Sequence, residues 1–317
     1  MVTYVIGIPL IEGRYSVEWY NELQSYMFLN GRRKDIRYMG DHSLHKVKHS
    51  EFLNYTEYCK YTMRAMSQTL THIEDGDSVL FFDGETPGLE AFEFVRKMED
   101  KDITIKAVWL AGSHDETDLV SLRHVQSENL ERDWFAITDK IFVASEFHKN
   151  MIVEKRNVPP EKVVVTGLPL APIKKLKPDY TKQYDVLYGG RLSNDKGYDI
   201  VNYLRGKGIQ VYATKEHELS KAEYYTKLYE SSVVIAPSLH ENFGYVPLEA
   251  LIRGTPVLVP DRGVFKETIP VSYRYADESD LLEMLINKSY EKYVPPNLRA
   301  EIAKKYDPQS ILARWLK

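Results

Sequence analysis

The sequence predicts an α/β protein made of two doubly wound domains, and three observations carry that prediction. Short apolar runs alternate with longer amphipathic stretches along the whole chain, the texture of β-α units around parallel sheets. At 317 residues the chain is about twice the length of a usual single domain. Between these series, residues 167–183 (GLPLAPIKKLKPDYTKQ) crowd prolines and lysines together without a period, as a domain crossing does. The expected division is residues 1–168 and 169–317, with a tail helix over about 300–317 returning to the first domain.

Taken in order, the first series has strands at Tyr4–Leu10, Ile36–Met39, Ser78–Phe82, Ile105–Leu110, Lys140–Ala144 and Lys162–Thr166. These runs are almost uniformly apolar, as strands covered by helices on both faces are. Helical patterns lie between them at Val17–Leu29, Glu51–His72 and Gly88–Met98, with Pro87 read into a first helical turn. The second series has strands at Asp185–Tyr188, Ile209–Ala213, Ser232–Ala236, Pro256–Val259 and Ser272–Tyr275. Its helices are Tyr198–Arg205, Lys221–Tyr229, Val246–Arg253 and Ser279–Ile286. Pro295–Lys317 reads as two short helices anchored by Trp315 and Leu316.

Composition narrows the function classes. Basic and acidic residues nearly balance, 42 against 46, so a net charge of −4 points to no polyanionic or membrane partner for the chain as a whole. Cys59 is the only cysteine, which excludes an internal disulfide and a cysteine metal cage. No apolar run reaches the roughly 18 residues of a membrane span, and the first residues read as a strand, not a leader. A soluble, cytoplasmic protein is the expectation.

The segment Ser232–Thr268 carries the most chemistry. An apolar strand ends at Pro237-Ser238, a loop holds His240, Glu241, Asn242, Phe243 and Gly244, and a helix opens near Val246-Pro247. Glycine there lets backbone approach a ligand, and free N–H groups of a helix start suit an anion. Glu249 follows Glu241 by eight residues, a second carboxylate able to accept from sugar hydroxyls. Upstream, YDVLYGGRLSNDKGYDIV gives a strand, then Gly190-Arg191, then Lys196-Gly197 opening a helix.

The two segments together resemble retaining GT-B glycosyltransferases of family 4. Glu241 and Glu249 match the Glu-x7-Glu signature, and Arg191 and Lys196 match the pair that binds the donor diphosphate. Departures are Asn242 after the first glutamate, Tyr245 where a smaller residue is usual, and Gly167-Leu168-Pro169 in place of an asparagine-glycine. The resemblance implies a GT-B fold, with the two domains facing across a cleft, and a nucleoside-diphosphate sugar, UDP- or GDP-linked, as donor. It implies no cofactor and no metal. Arg191 and Lys196 would hold the diphosphate, Gly190 and Gly244–Val246 would offer backbone, Asn242 and Phe243 would line the donor, Glu241 would meet the sugar and Glu249 the ribose. A non-catalytic sugar-nucleotide-binding protein is the alternative class.

The remaining candidates lie in the first domain. Strand Ile105–Leu110 runs into Ser113, His114 and Asp115, with His114 the histidine placed to meet donor sugar or acceptor and a helix cap the simpler alternative. Gly13 and Arg14 form a loop after the first strand. Asp83-Gly84-Glu85 follows another strand and offers either acceptor contacts or an Asp-x-Asp-like metal pair. Asp75-Gly76-Asp77 reads as a turn, and His42, His45 and His49 as a solvated stretch. Between Arg32 and Arg64, eight basic residues face four acidic ones, and the net +4, with tyrosines interleaved, fits phosphate contact and base stacking. On that ground Arg32, Arg33 and Lys34 are expected on the acceptor side. The acceptor is then a hydroxylated base in DNA or RNA, as in phage-type modification, or else a saccharide, small molecule or lipid.

Overall fold

The computed structural model describes residues 1–46, 55–116, 121, 127–173 and 181–317. The described residues divide into two compact units. The first runs to Pro169 and takes in Pro308–Lys317, and the second holds Leu170–Asp307.

The first unit reads β1 (Thr3–Ile6), α1 (Tyr15–Leu29), β2 (Ile36–Met39), α2 (Tyr55–Leu70), β3 (Ser78–Phe81) and α3 (Glu90–Met98). It continues with β4 (Thr104–Val108), α4 (Ser127–Ile137), β5 (Lys140–Val143), α5 (Glu146–Arg156) and β6 (Val163–Val165). The second reads β7 (Tyr184–Tyr188), α6 (Tyr198–Gly206), β8 (Val211–Ala213), α7 (Lys221–Glu230), β9 (Ser231–Ile235) and α8 (Tyr245–Ile252). After these come β10 (Val257–Pro260), α9 (Phe265–Thr268), β11 (Arg274–Tyr275), α10 (Glu278–Asn287) and α11 (Pro296–Lys305). The closing α12 (Pro308–Trp315) packs in the first unit.

Both sheets are wholly parallel. Their orders are β2-β1-β3-β4-β5-β6 and β11-β10-β9-β7-β8. Apolar strands explain this: Val79, Leu80 and Phe81 of β3 and Val233, Val234 and Ile235 of β9 are completely buried, so helices must cover both faces. Polar signals set the helix ends. Ser145 accepts from the His148 N–H to cap α5, and Ser220 with Glu223 forms a reciprocal capping box on α7. The C-terminal anchor is Trp315, whose ring lies 5.1 Å from that of Trp19 and whose Nε1 donates to Thr166 Oγ1 at 2.9 Å.

Four details differ from the sequence reading. β1 leaves the ladder after Ile6, although Gly7–Leu10 remain buried. Pro87 lies in a turn three residues before α3, so it does not open that helix. Val271–Tyr273 forms a 3-10 turn, fixed by Tyr273 donating to Tyr293 O, and only Arg274–Tyr275 pair as strand. α4 was not anticipated. The start of the expected helix Glu51–His72 lies outside the described residues.

This strand order has a consequence for binding. In open parallel sheets, ligands collect at the carboxyl ends of strands where the order reverses. That point falls between β1 and β3 in the first unit and between β7 and β9 in the second.

Candidate functional site

At the β7/β9 reversal the two sequence motifs meet. The loop after β7 carries Gly190, Arg191 and Lys196, and the loop after β9 carries Ser238–Gly244. Lys196 Nζ lies 2.9 Å from Glu241 Oε1, which also accepts from Ser238 Oγ at 3.0 Å, and Lys196 reaches the His240 carbonyl at 3.4 Å. The Leu239 N–H donates to Asp195 O at 3.0 Å, tying the loops through backbone as well. Arg191 Nη2 pairs with Asp195 Oδ2 at 2.8 Å.

The first loop is held in shape from below. Tyr188, at the end of β7, donates its hydroxyl to the carbonyls of Arg191 and Lys196. Gly197 adopts φ +74°, and a Cβ there would stand 2.4 Å from the Pro237 carbonyl oxygen. No side chain fits that approach, so Gly197 lets the loops close on each other. Val246, in the first turn of α8, packs against Gly189, where a Cβ would lie 2.8 Å from its Cγ1. Gly190, Arg191, Lys196, Glu241, Gly244 and Val246 are thus gathered at one sheet edge. Chemically the site presents a planar guanidinium fork and an ammonium, each paired with a carboxylate that a phosphate oxygen can replace.

Other predicted donor residues take different roles. Phe243 is 4% exposed and packs edge-on against Tyr245 and Tyr306, so it belongs to the core. Asn242 Oδ1 meets His240 Nε2 at 3.2 Å. Glu249 is 2% exposed and its carboxylate is engaged by three donors: Lys221 Nζ at 2.9 Å, Tyr224 OH at 2.9 Å and Tyr225 OH at 3.1 Å. Sequence reasoning missed all three, because α7 precedes α8 by a strand and a loop and no local spacing links them.

In the first unit, Asp83 and Glu85 follow β3 and Gly13 and Arg14 follow β1, so the β1/β3 reversal brings both pairs to one edge. Gly13 lies in an exposed turn with nothing within 4 Å of a Cβ position, so it serves the turn and not a close approach. Asp83 accepts from Tyr58 OH at 3.2 Å, and its charge, after burial, helps raise the pKa values of Tyr15 and Tyr58. Those two tyrosines carried no motif. Asp77 accepts the Glu74 N–H within the turn, as expected, and Asp75 accepts the Asp102 N–H from the stretch before β4. His42 bonds Tyr20 OH and His49 lies outside the described residues. Among the described residues no group of three or more His, Cys, Asp or Glu is placed to hold a metal ion.

Two expectations need correction. His114 does not face outward: it is fully buried, its Nδ1 meeting Glu131 Oε1 at 2.9 Å and its Nε2 meeting His148 Nε2 at 2.9 Å. Asp115 beside it is 4% exposed. Two ring nitrogens already engaged inside the protein are not offered to a substrate. Arg32, Arg33 and Lys34 precede β2, which puts them at the amino edge of the sheet, opposite Gly13 and Asp83. Arg32 pairs with Asp35 at 2.9 Å and Arg33 lies over the Phe28 ring.

The His114 cluster has a pH signature. Burial raises the Glu131 pKa, but hydrogen bonds from His114, Ser113 and Arg156 outweigh it and hold the carboxyl below its ordinary value of 4.5. A depressed native pKa adds stability above the unfolded value, and that stability is lost as pH falls through the native one. Urea midpoints of the wild type are therefore expected to fall below about pH 4.5 more steeply than those of Glu131→Gln. Parallel acid profiles would show that Glu131 carries none of that loss.

Comparison with known proteins adds to this geometry. A family model described as family 4 glycosyltransferase in conflict systems matches residues 209–272, which include Glu241 and Glu249 but stop short of Arg191 and Lys196. D-inositol 3-phosphate glycosyltransferase of Paenarthrobacter aurescens is 29% identical over 97 residues, 31% of this chain. The chain spans 23% of the length of that relative. Sucrose-phosphate synthase from Thermosynechococcus elongatus superposes with a TM-score of 0.70 at 12% identity, covering 99% of this chain and 96% of the other. Over residues 209–272 the chain is similar to family 4 glycosyltransferases. Lipopolysaccharide outer core galactosyltransferase WaaB superposes on this chain with a TM-score of 0.64 at 16% identity, covering 98% of this chain and 97% of the other. Likeness at such identities is a likeness of fold, and the fold is GT-B, an α/β architecture of two Rossmann-like domains.

Proposed function

We propose that the protein is a glycosyltransferase that moves a sugar from a nucleoside-diphosphate sugar to an acceptor hydroxyl. The observation that carries this reading is the Lys196–Glu241 pair, which joins the two motif loops at the β7/β9 reversal. In the proposed reaction Arg191 and Lys196 hold the donor diphosphate and stabilise the charge that grows on it as the glycosidic bond breaks. Glu241, released from Lys196, accepts from the sugar hydroxyls. Attack from the face the phosphate leaves retains the anomeric configuration, and the departing phosphate oxygen takes the acceptor proton. No protein nucleophile is needed, so positioning and electrostatics supply the catalysis.

On the acceptor side, the group at the β1/β3 reversal is a carboxylate among tyrosines, Asp83 with Tyr15 and Tyr58. Such groups accept from and pack against hydroxylated molecules, whereas Arg32, Arg33 and Lys34 sit at the other edge. This favours a saccharide or small hydroxylated acceptor over nucleic acid. Among the described residues no helix is long and apolar enough to cross a membrane. The test is release of free UDP or GDP from a panel of donor sugars, with the product anomer read by NMR. A protein that binds nucleotide yet turns over no donor, with or without acceptor, would be the non-catalytic alternative.

Activity is expected to survive excess chelator, since Arg191 and Lys196 place fixed positive charge where other transferases use a divalent ion. Loss of turnover with EDTA, restored by manganese or magnesium, would return Asp83 and Glu85 to the site as ligands.

A further inference from the structure

An open cavity of about 430 Å³ lies at the carboxyl end of β10 and β11 in the second unit, within the size range of ligand pockets. None of the donor-site residues lines it. Its apolar part comes from Ile200, Pro260 and the ring of Tyr275. Its polar part comes from Arg262, Glu278 and Ser279, and none of these side chains has a hydrogen-bond or ion-pair partner among the described residues. Beneath them is the Tyr275 hydroxyl. Tyr275 is 2% exposed, and its phenol oxygen is buried without a hydrogen-bond partner among the described residues.

A buried hydroxyl without a partner is destabilising, so its retention calls for an explanation. Tyr275 itself lines the cavity together with Arg262 and Glu278, and after burial these are the two groups that act on its pKa, Arg262 lowering it and Glu278 raising it. The charges then select the ligand class. Asp261 is paired with Arg274 at 2.6 Å and Asp277 caps α10 through the Asp280 N–H. What remains is one guanidinium beside one carboxylate, with two hydroxyls. An anion meets Glu278 and a cation meets Arg262, each at a cost. A neutral polyol satisfies all four, accepting from Arg262, donating to Glu278 and doing either with Tyr275 and Ser279.

We infer that this cavity is an accessory carbohydrate-binding site, taking a neutral mono- or disaccharide, separate from the proposed donor site in the same unit. It does not depend on glycosyl transfer, because occupancy is a property of binding alone.

The experiment titrates the whole chain with glucose, mannose, galactose and maltose, read by calorimetry and saturation-transfer NMR, with and without saturating UDP or GDP. Expected is saturable millimolar binding of at least one sugar, unchanged by the nucleotides and weakened about five- to tenfold by Tyr275→Phe, the scale of one hydrogen bond. Glu278→Gln, at an exposed position, should weaken it comparably and serves if the Tyr275 variant does not fold. Three results overturn the inference: no binding of any of the four sugars, sugar binding indifferent to both variants, or binding of inorganic phosphate lost in Arg262→Ala while sugars do not bind. Absence of donor turnover would leave this result untouched, so the two readings fail separately.

Discussion

Alanine in place of Arg191 or Lys196 is expected to slow donor turnover by about 10²–10³-fold each, the loss of one preorganised stabiliser of developing charge. The structure gives the two substitutions different secondary effects. Arg191 pairs with Asp195 within its own loop, so its removal leaves the second loop in place. Lys196 bridges to Glu241, so its removal also frees the carboxylate that is to meet the sugar, and KM should rise alongside the fall in kcat. Both side chains are partly exposed, so unfolding midpoints should stay near the wild-type value. Wild-type turnover in both variants would withdraw the diphosphate assignment.

Glu249→Ala is expected to destabilise the second unit by about 3–5 kcal/mol, the cost of breaking a buried ion pair from one side. The family resemblance assigns this residue to the ribose and implies a loss of donor affinity. The packing places stability first, because Lys221 and two tyrosine hydroxyls converge on a carboxylate that is 2% exposed. Glu249→Gln keeps an acceptor for the tyrosines but leaves Lys221 uncompensated, so it should fall between alanine and wild type. Urea unfolding followed by tyrosine fluorescence reads both. A wild-type midpoint for Glu249→Ala would show that the network carries no stability, and nucleotide titration would then decide the ribose role.

The legible parts of this molecule are those in which one local signal decides the outcome. Apolar runs of four or five residues predict both sheets, and Gly190-Arg191 with Lys196-Gly197 predict a loop whose backbone hydrogen bonds are mostly its own. α4 escaped because its buried face holds Glu131 where a periodic pattern expects an apolar residue, and Glu131 is satisfied by Ser113, His114 and Arg156, which lie outside that helix. His114 was read outward for the same reason: its partners, Glu131 and His148, arrive on separate helices. The edge on which Arg32, Arg33 and Lys34 sit follows from their place before a strand, but net charge over a window is blind to that order.

The return of α12 to the first unit bears on how the chain is made. Trp315 is fully buried among Trp19, Phe82 and Phe142, so the hydrophobic centre around α1 lacks one of its two indole rings until residue 315 has been synthesised. The second unit has no such debt to later sequence: the Leu170 N–H meets the Tyr306 carbonyl at 3.0 Å, so its two ends are joined by residue 306. During vectorial synthesis the later-made unit can therefore finish first, while the earlier-made one waits, partly assembled, for the last turn of helix. Ribosome-bound chains stopped soon after residue 307 has emerged should then protect the second unit from protease and leave the first open to it.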